Sequence, residues 1–430
     1  MTKYNLECLH CGATYEDDFY RLKCDNDHKP SLLRTVYTNK KLTVHENQTG
    51  VFKFMDFLPV SRVLQNKSAP VTYKSEKLNK FLGLQNLYII FNGYWPEKKA
   101  MLYTASFKDL EAPPVLARIP EDNTNTLVVA SAGNTGRAFA NVCSQNNIPL
   151  VLVIPESGIE EIWSPQPFND SVKLILASGR SDYLDAITLA SKITEFDGFF
   201  PEGGAANVAR RDGMATTVLD AGHHIGQIPD HYFQAVGSGT GGIAAWESAL
   251  RLAEDGSYGK NRMRLHLAQN YPFTPMSDAW KNRERNLPIL DENESKEKIR
   301  QIASHVLSNR KPPYSVVGGV YDTLSASNGL MYSVKNREAE EAMELFEQYE
   351  GCDLHPASGV ALGALRQAVK SQQVGKDDII VLNATGGGER RFRRDFHLHY
   401  LQPFSRLTDE EINSQDAPKK IESILNLIYP

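Results

Sequence analysis

The sequence predicts an α/β protein, and three observations carry that prediction. Short apolar runs rich in β-branched residues, "TLVVA", "PLVLVIP" and "VKLILAS", alternate with longer helix-period stretches such as "GRAFANVCSQNN" and "DYLDAITLASKITEF". The runs are continuously apolar, as expected of parallel strands covered by helices on both faces. Finally, three glycine-rich turns each follow a strand and precede a helix, where open α/β sheets bind ligands.

Taken in order, residues 1–35 carry three of the five cysteines and read as a small ribbon-like segment. Residues 36–125 and 236–400 read as two parts of one large α/β domain. The βαβ rhythm between them, 126–235, reads as a smaller domain inserted in it. The second series runs from "HYFQAV" through "GSGTGGIAAWESALRLA" and "LHLAQ" to "NREAEEAMELFEQYE" and "DDIIVLNA". The charged stretch "DAWKNRERNLPILDENESKEKIRQIA" interrupts it as a solvated excursion. Residues 401–430 read as an amphipathic helical tail that packs on the domain or a sister subunit.

At 430 residues the chain exceeds what one hydrophobic core fills, consistent with two domains. A net charge of −5 with 41% hydrophobic residues gives no basic field for nucleic acid, so small molecules are the expected partners. Neither a signal peptide nor a membrane span is legible, so a cytoplasmic protein is expected. Five cysteines, three of them near the start, make a secreted disulfide framework the poorer reading.

The sharpest glycine turn is "GSGTGG", opening with Gly237, Ser238, Gly239, Thr240 and Gly241. Bare backbone amides, two hydroxyls and a positive helix end suit one phosphate. The spacing is not that of a dinucleotide fingerprint, and no P-loop lysine follows. The second turn, "SAGNTG", offers Ser131, Asn134 and Thr135 at a helix start, which suits a carboxylate or a cofactor oxygen. The third, "LNATGGGERRF", ends a strand at Thr385 and lets something flat approach the backbone. Lys108, in "YTASFKDLEA", sits between Phe107 and Asp109. Desolvated beside a phosphate cradle it could serve as a free amine for an aldehyde, and pyridoxal phosphate carries both an aldehyde and a phosphate. A solvated lysine paired with Asp109 or Glu111 is the competing reading.

"SFKD", "SAGNTG" and "GSGTGG" occur in the order, and near the separations, of the fold type II (tryptophan-synthase-β-like) pyridoxal phosphate enzymes. "TASFKD" and "DLHPASGVALGAL" resemble segments of the threonine synthases in that family. The resemblance spans roughly residues 75–390. It implies two α/β domains with the cofactor in the cleft, Lys108 as the lysine that holds the cofactor and removes the substrate's α proton, and Asn134 beside its ring hydroxyl. It further implies the 237–241 loop on the phosphate, Thr385 facing the pyridine nitrogen and the Ser131–Thr135 loop on the substrate carboxylate. The chain is similar to the threonine-synthase-like branch whose substrates are O-phosphoserine and sulfite. Open alternatives are action on O-phosphohomoserine, sulfide as nucleophile, or a non-catalytic ligand-binding relative. Homo-oligomers are common in this fold.

The segment "GGAANVARRDGM" offers Arg210 and Arg211 to a substrate phosphate, or as helix-surface arginines. The four arginines of "GGGERRFRRD" draw anions or form a charged face. At the N-terminus, "CLHC" with Cys24 resembles a zinc ribbon. Here "CDNDH" stands where a second C-x-x-C is expected, leaving Cys8, Cys11 and Cys24 with His28 or Asp27 as the fourth ligand. A metal-free ribbon is the expectation, with zinc as the alternative. Cys143 and Cys352 read as packing residues.

Overall fold

The computed structural model describes residues 2–131, 133–181 and 183–428. Its larger sheet has six strands in the order Leu330–Val334, Arg264–Asn270, His231–Ala235, Ile379–Ala384, Asn86–Phe91 and Val71–Lys74. All neighbours are parallel except the edge strand Val71–Lys74, which is antiparallel. Helices cover both faces. Pro356–Lys370 packs Val360, Ala361, Leu362, Ala364 and Leu365 on one, and Val208–Ile225 and Thr240–Asp255 pack on the other.

The smaller sheet has five parallel strands in the order Phe199–Pro201, Thr126–Ala130, Leu150–Pro155, Val172–Ser178 and Pro403–Thr408. Every residue of Leu150–Pro155 is buried, which explains its unbroken apolar run. Truncating fully buried Leu152 to alanine would cost about 2–5 kcal/mol, the removed methyls plus the cavity left behind.

Two stretches differ from the sequence reading. The strand His231–Ala235 lies in the larger sheet, before the sequence boundary at 236, because continuous burial marks a strand without saying which sheet holds it. The tail expected to be helical throughout opens with the strand Pro403–Thr408, which closes an edge of the smaller sheet. Its burial alternates and its length is short, so its helical neighbour hid it. That neighbour, Ala417–Ile428, buries Ile421 and Leu425 in one apolar cluster with Leu189 and Ile193.

Residues 4–37 form an antiparallel three-stranded sheet, with Tyr4–Cys8 between Thr14–Tyr15 and Leu33–Tyr37. The excursion after Arg264–Asn270 contains the short helices Pro275–Lys281 and Glu292–Gln301, the latter mostly exposed. Among the described residues, no helix is long and apolar enough to cross a membrane.

Candidate active site

His231–Ala235 and Ile379–Ala384 are parallel neighbours, so the loops at their carboxyl ends, the 237–242 turn and the Thr385 turn, open on the same side of the larger sheet. A buried polar ladder fixes the two strand ends. The Tyr232 hydroxyl donates to Gln234 Oε1 (2.6 Å), Asn383 Nδ2 to Tyr232 Oη (2.6 Å), and Asn92 Nδ2 to Asn383 Oδ1 (2.6 Å).

The glycines of the first turn are required by space. A Cβ at Gly241 would overlap the Gln234 amide, and one at Gly237 would press on the Val306 carbonyl at 2.8 Å. Gly239 has φ +82°, a conformation glycine adopts at no steric cost. The 16-residue helix Thr240–Asp255 starts here, and its leading amides have no intrahelical carbonyl. Ser238 Oγ and Thr240 Oγ1 lie 2.8 Å apart on the turn. Amides, hydroxyls and a helix start form a cradle of phosphate size and polarity.

Lys108 lies on a short 3₁₀ turn, Phe107–Leu110, capped by Ser106. The turn is stitched to the Thr385 loop. Phe107 N–H donates to the Thr385 carbonyl (2.9 Å), Gly387 N–H to the Ala105 carbonyl (3.1 Å), and Ser106 bridges Gly386. The Phe107 ring packs with Ala244 of the cradle helix and with Met214 and Ala215. Lys108 is therefore tied to both loops. Its Nζ lies 4.7 Å from the Phe107 ring centre and donates to Glu111 Oε2 at 3.2 Å. Burial pushes its ammonium below the usual lysine range and Arg210 adds to this, while Glu111 opposes both.

Glu111, fully buried, is the hub that sequence reasoning weighed only as Lys108's structural partner. It accepts from Lys108, from Thr135 Oγ1 (2.9 Å) and, through both oxygens, from Arg210 (Nη2–Oε1 2.8 Å, Nε–Oε2 3.1 Å). Arg210 Nη1 donates to Glu202 Oε2 at 2.6 Å, a buried carboxylate not singled out from the sequence. Its one signal was its place eight residues before Arg210, just ahead of "GGAANVARRDGM". Tyr183, whose hydroxyl donates to the Ala130 carbonyl (3.2 Å), also went unnoticed.

Through Thr135 the "SAGNTG" turn of the smaller sheet meets this group. Ser131 N–H donates to the Val153 carbonyl (3.2 Å), and Asn134 begins the helix Asn134–Asn146. Asn134 Oδ1 accepts from Arg137 Nη2 at 2.5 Å, and that nitrogen also reaches the Thr104 carbonyl at 2.9 Å. Burial lowers the Arg137 pKa to about 10 despite the nearby carboxylates of Glu389 and Glu161. The guanidinium stacks on Trp163, 3.8 Å from the ring centre.

Arg211 points elsewhere. It is buried, pairs with Glu247 at 3.2 Å and donates to the carbonyls of Ala205 and Leu33, so the structure does not bring it to the Lys108 group. One step along a helix turns a side chain by about 100°. Arg390, Arg391, Arg393 and Arg394 are exposed or half-buried and each pairs with a carboxylate. Cys143 and Cys352 are buried, as expected.

A primary amine below its ordinary pKa, a glycine cradle for one phosphate and a Thr385 loop stitched to the lysine fit pyridoxal phosphate. The family model for pyridoxal-phosphate dependent enzymes matches residues 91–386, and the chain belongs to that family. Among solved structures it is similar to maize serine racemase (13% identity, TM-score 0.58, covering 76% of this chain and 91% of that one). It is also similar to threonine deaminase isoform 2 from Solanum lycopersicum (17% identity, TM-score 0.56, 84% and 98%). These likenesses give the fold, fold type II. Within it the chain belongs with the cysteate synthases. It is 48% identical to cysteate synthase of Methanosarcina acetivorans over 96% of this chain and 98% of the relative. It is 45% identical to that of Methanocella paludicola over 98% of both. It is a pyridoxal-phosphate-dependent enzyme.

Proposed function

We propose that the protein replaces the phosphate of O-phospho-L-serine with sulfite, giving L-cysteate and inorganic phosphate. The observation that carries this reading is the convergence on Glu111 of Lys108, Thr135 and Arg210: an amine, a hydroxyl and a guanidinium held by one buried carboxylate. Similarity to relatives named cysteate synthase supports the choice of substrates.

Pyridoxal phosphate, when bound, supplies an electron sink for negative charge at the substrate's α carbon. Lys108 would hold the cofactor and, released from it, would take the α proton. Its lowered pKa makes the free amine accessible nearer neutral pH than an exposed lysine's would be. The 237–241 turn would grip the cofactor phosphate with backbone amides and the Ser238 and Thr240 hydroxyls. Asn134 would meet the ring hydroxyl, and the Ser131–Thr135 loop would receive the substrate carboxylate. Thr385 would present a neutral hydroxyl to the pyridine nitrogen. A neutral hydroxyl, unlike a carboxylate, would not enforce protonation of that nitrogen, which would suit loss of a β leaving group over transamination.

Arg210 is the guanidinium this site offers to the departing phosphate, with the bidentate geometry it already shows toward Glu111. In the net reaction the Cβ–O bond breaks, phosphate leaves with the electron pair, and the sulfite sulfur supplies the pair for the new C–S bond. A cytoplasmic, self-associating enzyme completes the proposal.

The test is a substrate panel. O-phosphoserine and O-phosphohomoserine are offered with sulfite, sulfide or water, and the products are identified by mass. L-Cysteate formed only from O-phosphoserine plus sulfite is the expected result. Threonine from O-phosphohomoserine, or cysteine from sulfide as the preferred product, would overturn it.

A further inference from the structure

The N-terminal sheet contains a group of side chains that the reaction does not use. Ligand atoms of Cys8, Cys11, Cys24 and His28 all lie within 4.8 Å of one another. Cys11 Sγ and Cys24 Sγ are 3.7 Å apart, and Cys8 Sγ is 3.4 Å from His28 Nε2. A disulfide would need about 2.05 Å between sulfurs. A tetrahedron with arms of about 2.3 Å to sulfur and 2.0 Å to nitrogen has edges of about 3.8 Å between sulfurs and 3.5 Å between sulfur and nitrogen. The Cys11–Cys24 and Cys8–His28 separations match those edges, and the remaining pairs, all within 4.8 Å, need only small side-chain movements to close on a common centre.

The surroundings favour a cation. His28 Nδ1 lies 2.7 Å from the Lys29 carbonyl, which can only accept, so Nδ1 carries a proton and Nε2, facing Cys8, is the ring nitrogen left for a metal. Asn26 Nδ2 donates to Cys11 Sγ (3.3 Å). Tyr15 Oη accepts from Asp25 N–H (3.1 Å), which directs its own proton to Cys24 Sγ at 3.0 Å. Two of the sulfurs thus have donors suited to thiolates. The Cys8–Gly12 turn, closed by Gly12 N–H to the Cys8 carbonyl (2.9 Å) with Gly12 at φ +72°, brings Cys11 back over Cys8. Asp27, the other candidate fourth ligand, is exposed and outside the group.

We propose that these four side chains bind one zinc ion in an S₃N tetrahedral site, and that the closed site holds the start of the helix carrying Arg210. Three thiolates and an imidazole select zinc over magnesium or calcium, and four protein ligands leave no open position for catalysis. The apolar core beneath is small: Leu6, Cys8 and Leu33 pack with Val208, the first residue of the Arg210 helix. Leu22 lies over Gly203, Arg118 joins Asp17 (2.8 Å) to Asn207 (3.2 Å), and Arg211 donates to the Leu33 carbonyl. So small a core folds stably when metal binding adds to it.

The test uses the full-length holoenzyme expressed with zinc. Elemental analysis is expected to give about one zinc per chain, falling at least about tenfold in Cys11→Ser and His28→Ala. Should those variants be insoluble, the wild-type protein stripped by chelator and titrated with cobalt alone is expected to show tetrahedral d–d and thiolate charge-transfer bands at one equivalent. Stripping is also expected to expose residues 1–37 to protease and to raise KM for the phosphorylated substrate more than it lowers kcat. Absence of zinc with no cobalt bands, or a Cys11–Cys24 disulfide found by thiol counting, would overturn the site. Unchanged protease sensitivity and KM after complete stripping would overturn the clasp.

Discussion

Glu111 grips Arg210 in a two-point fork, Oε1 to Nη2 at 2.8 Å and Oε2 to Nε at 3.1 Å, while Oε2 also receives Lys108 at 3.2 Å. Two cations of the candidate site therefore depend on one buried carboxylate. Replacing Glu111 with glutamine leaves the two facing each other with only Glu202, on Arg210 Nη1, as counter-charge. Breaking a buried pair this way costs about 3–5 kcal/mol. The variant should unfold at lower urea, and cofactor uptake by its apoprotein should extend to lower pH, since the carboxylate that raises the Lys108 pKa is gone. Wild-type urea and pH profiles would refute the hub.

Arg210→Lys keeps a charge but loses the fork. If Arg210 receives the phosphate of the substrate, kcat/KM for O-phosphoserine should fall about 10–100-fold, as expected for loss of a charge-assisted contact of roughly 1.5–3 kcal/mol. Arg211→Lys, remote from Lys108, should change stability more than turnover. The two variants measured side by side decide which arginine serves the site.

Gly241→Ala places a methyl on the Gln234 amide within the polar ladder. Weaker cofactor affinity, read by dialysis and visible absorbance, is expected with the fold retained by circular dichroism. An unchanged cofactor Kd would remove the turn at 237–241 from the site.

Asp109, beside Lys108, is buried, and burial raises its pKa to about 6 although Thr104 N–H (2.9 Å) and Ser68 (3.3 Å) donate to it. Its folded pKa exceeds the unfolded one, so the folded state binds the proton more tightly and stability falls as pH rises from about 4 to about 6. At about 1.4 kcal/mol per pKa unit the contribution is about 3 kcal/mol, and Asp109→Asn should flatten that part of the stability profile. A slope unaltered by the substitution would contradict this.

Much of the fold was legible because parallel strands buried on both faces leave unbroken apolar runs, as in Leu150–Pro155. The glycine turns were legible because close backbone approach leaves few alternatives to glycine, as at Gly239 and Gly241. Glu111 was harder to see. Three residues after Lys108, it reads as an ordinary surface partner, and only burial against Thr135 and Arg210 from distant elements changes its meaning. Adjacent Arg210 and Arg211 look alike in the sequence and diverge only through their places around the helix. The strand Pro403–Thr408 was hidden because pairing with Val172–Ser178, far back in the chain, makes it a strand.

In the proposed site, Lys108 and the 237–241 turn hold one cofactor between them. Borohydride reduction of the holoprotein, followed by digestion and peptide mass analysis, tests this most directly. The predicted result is loss of the yellow colour with the cofactor's mass fixed on the peptide containing Lys108, and on no peptide in Lys108→Ala. Label on another lysine, or a colourless protein that takes up no added pyridoxal phosphate, would contradict it.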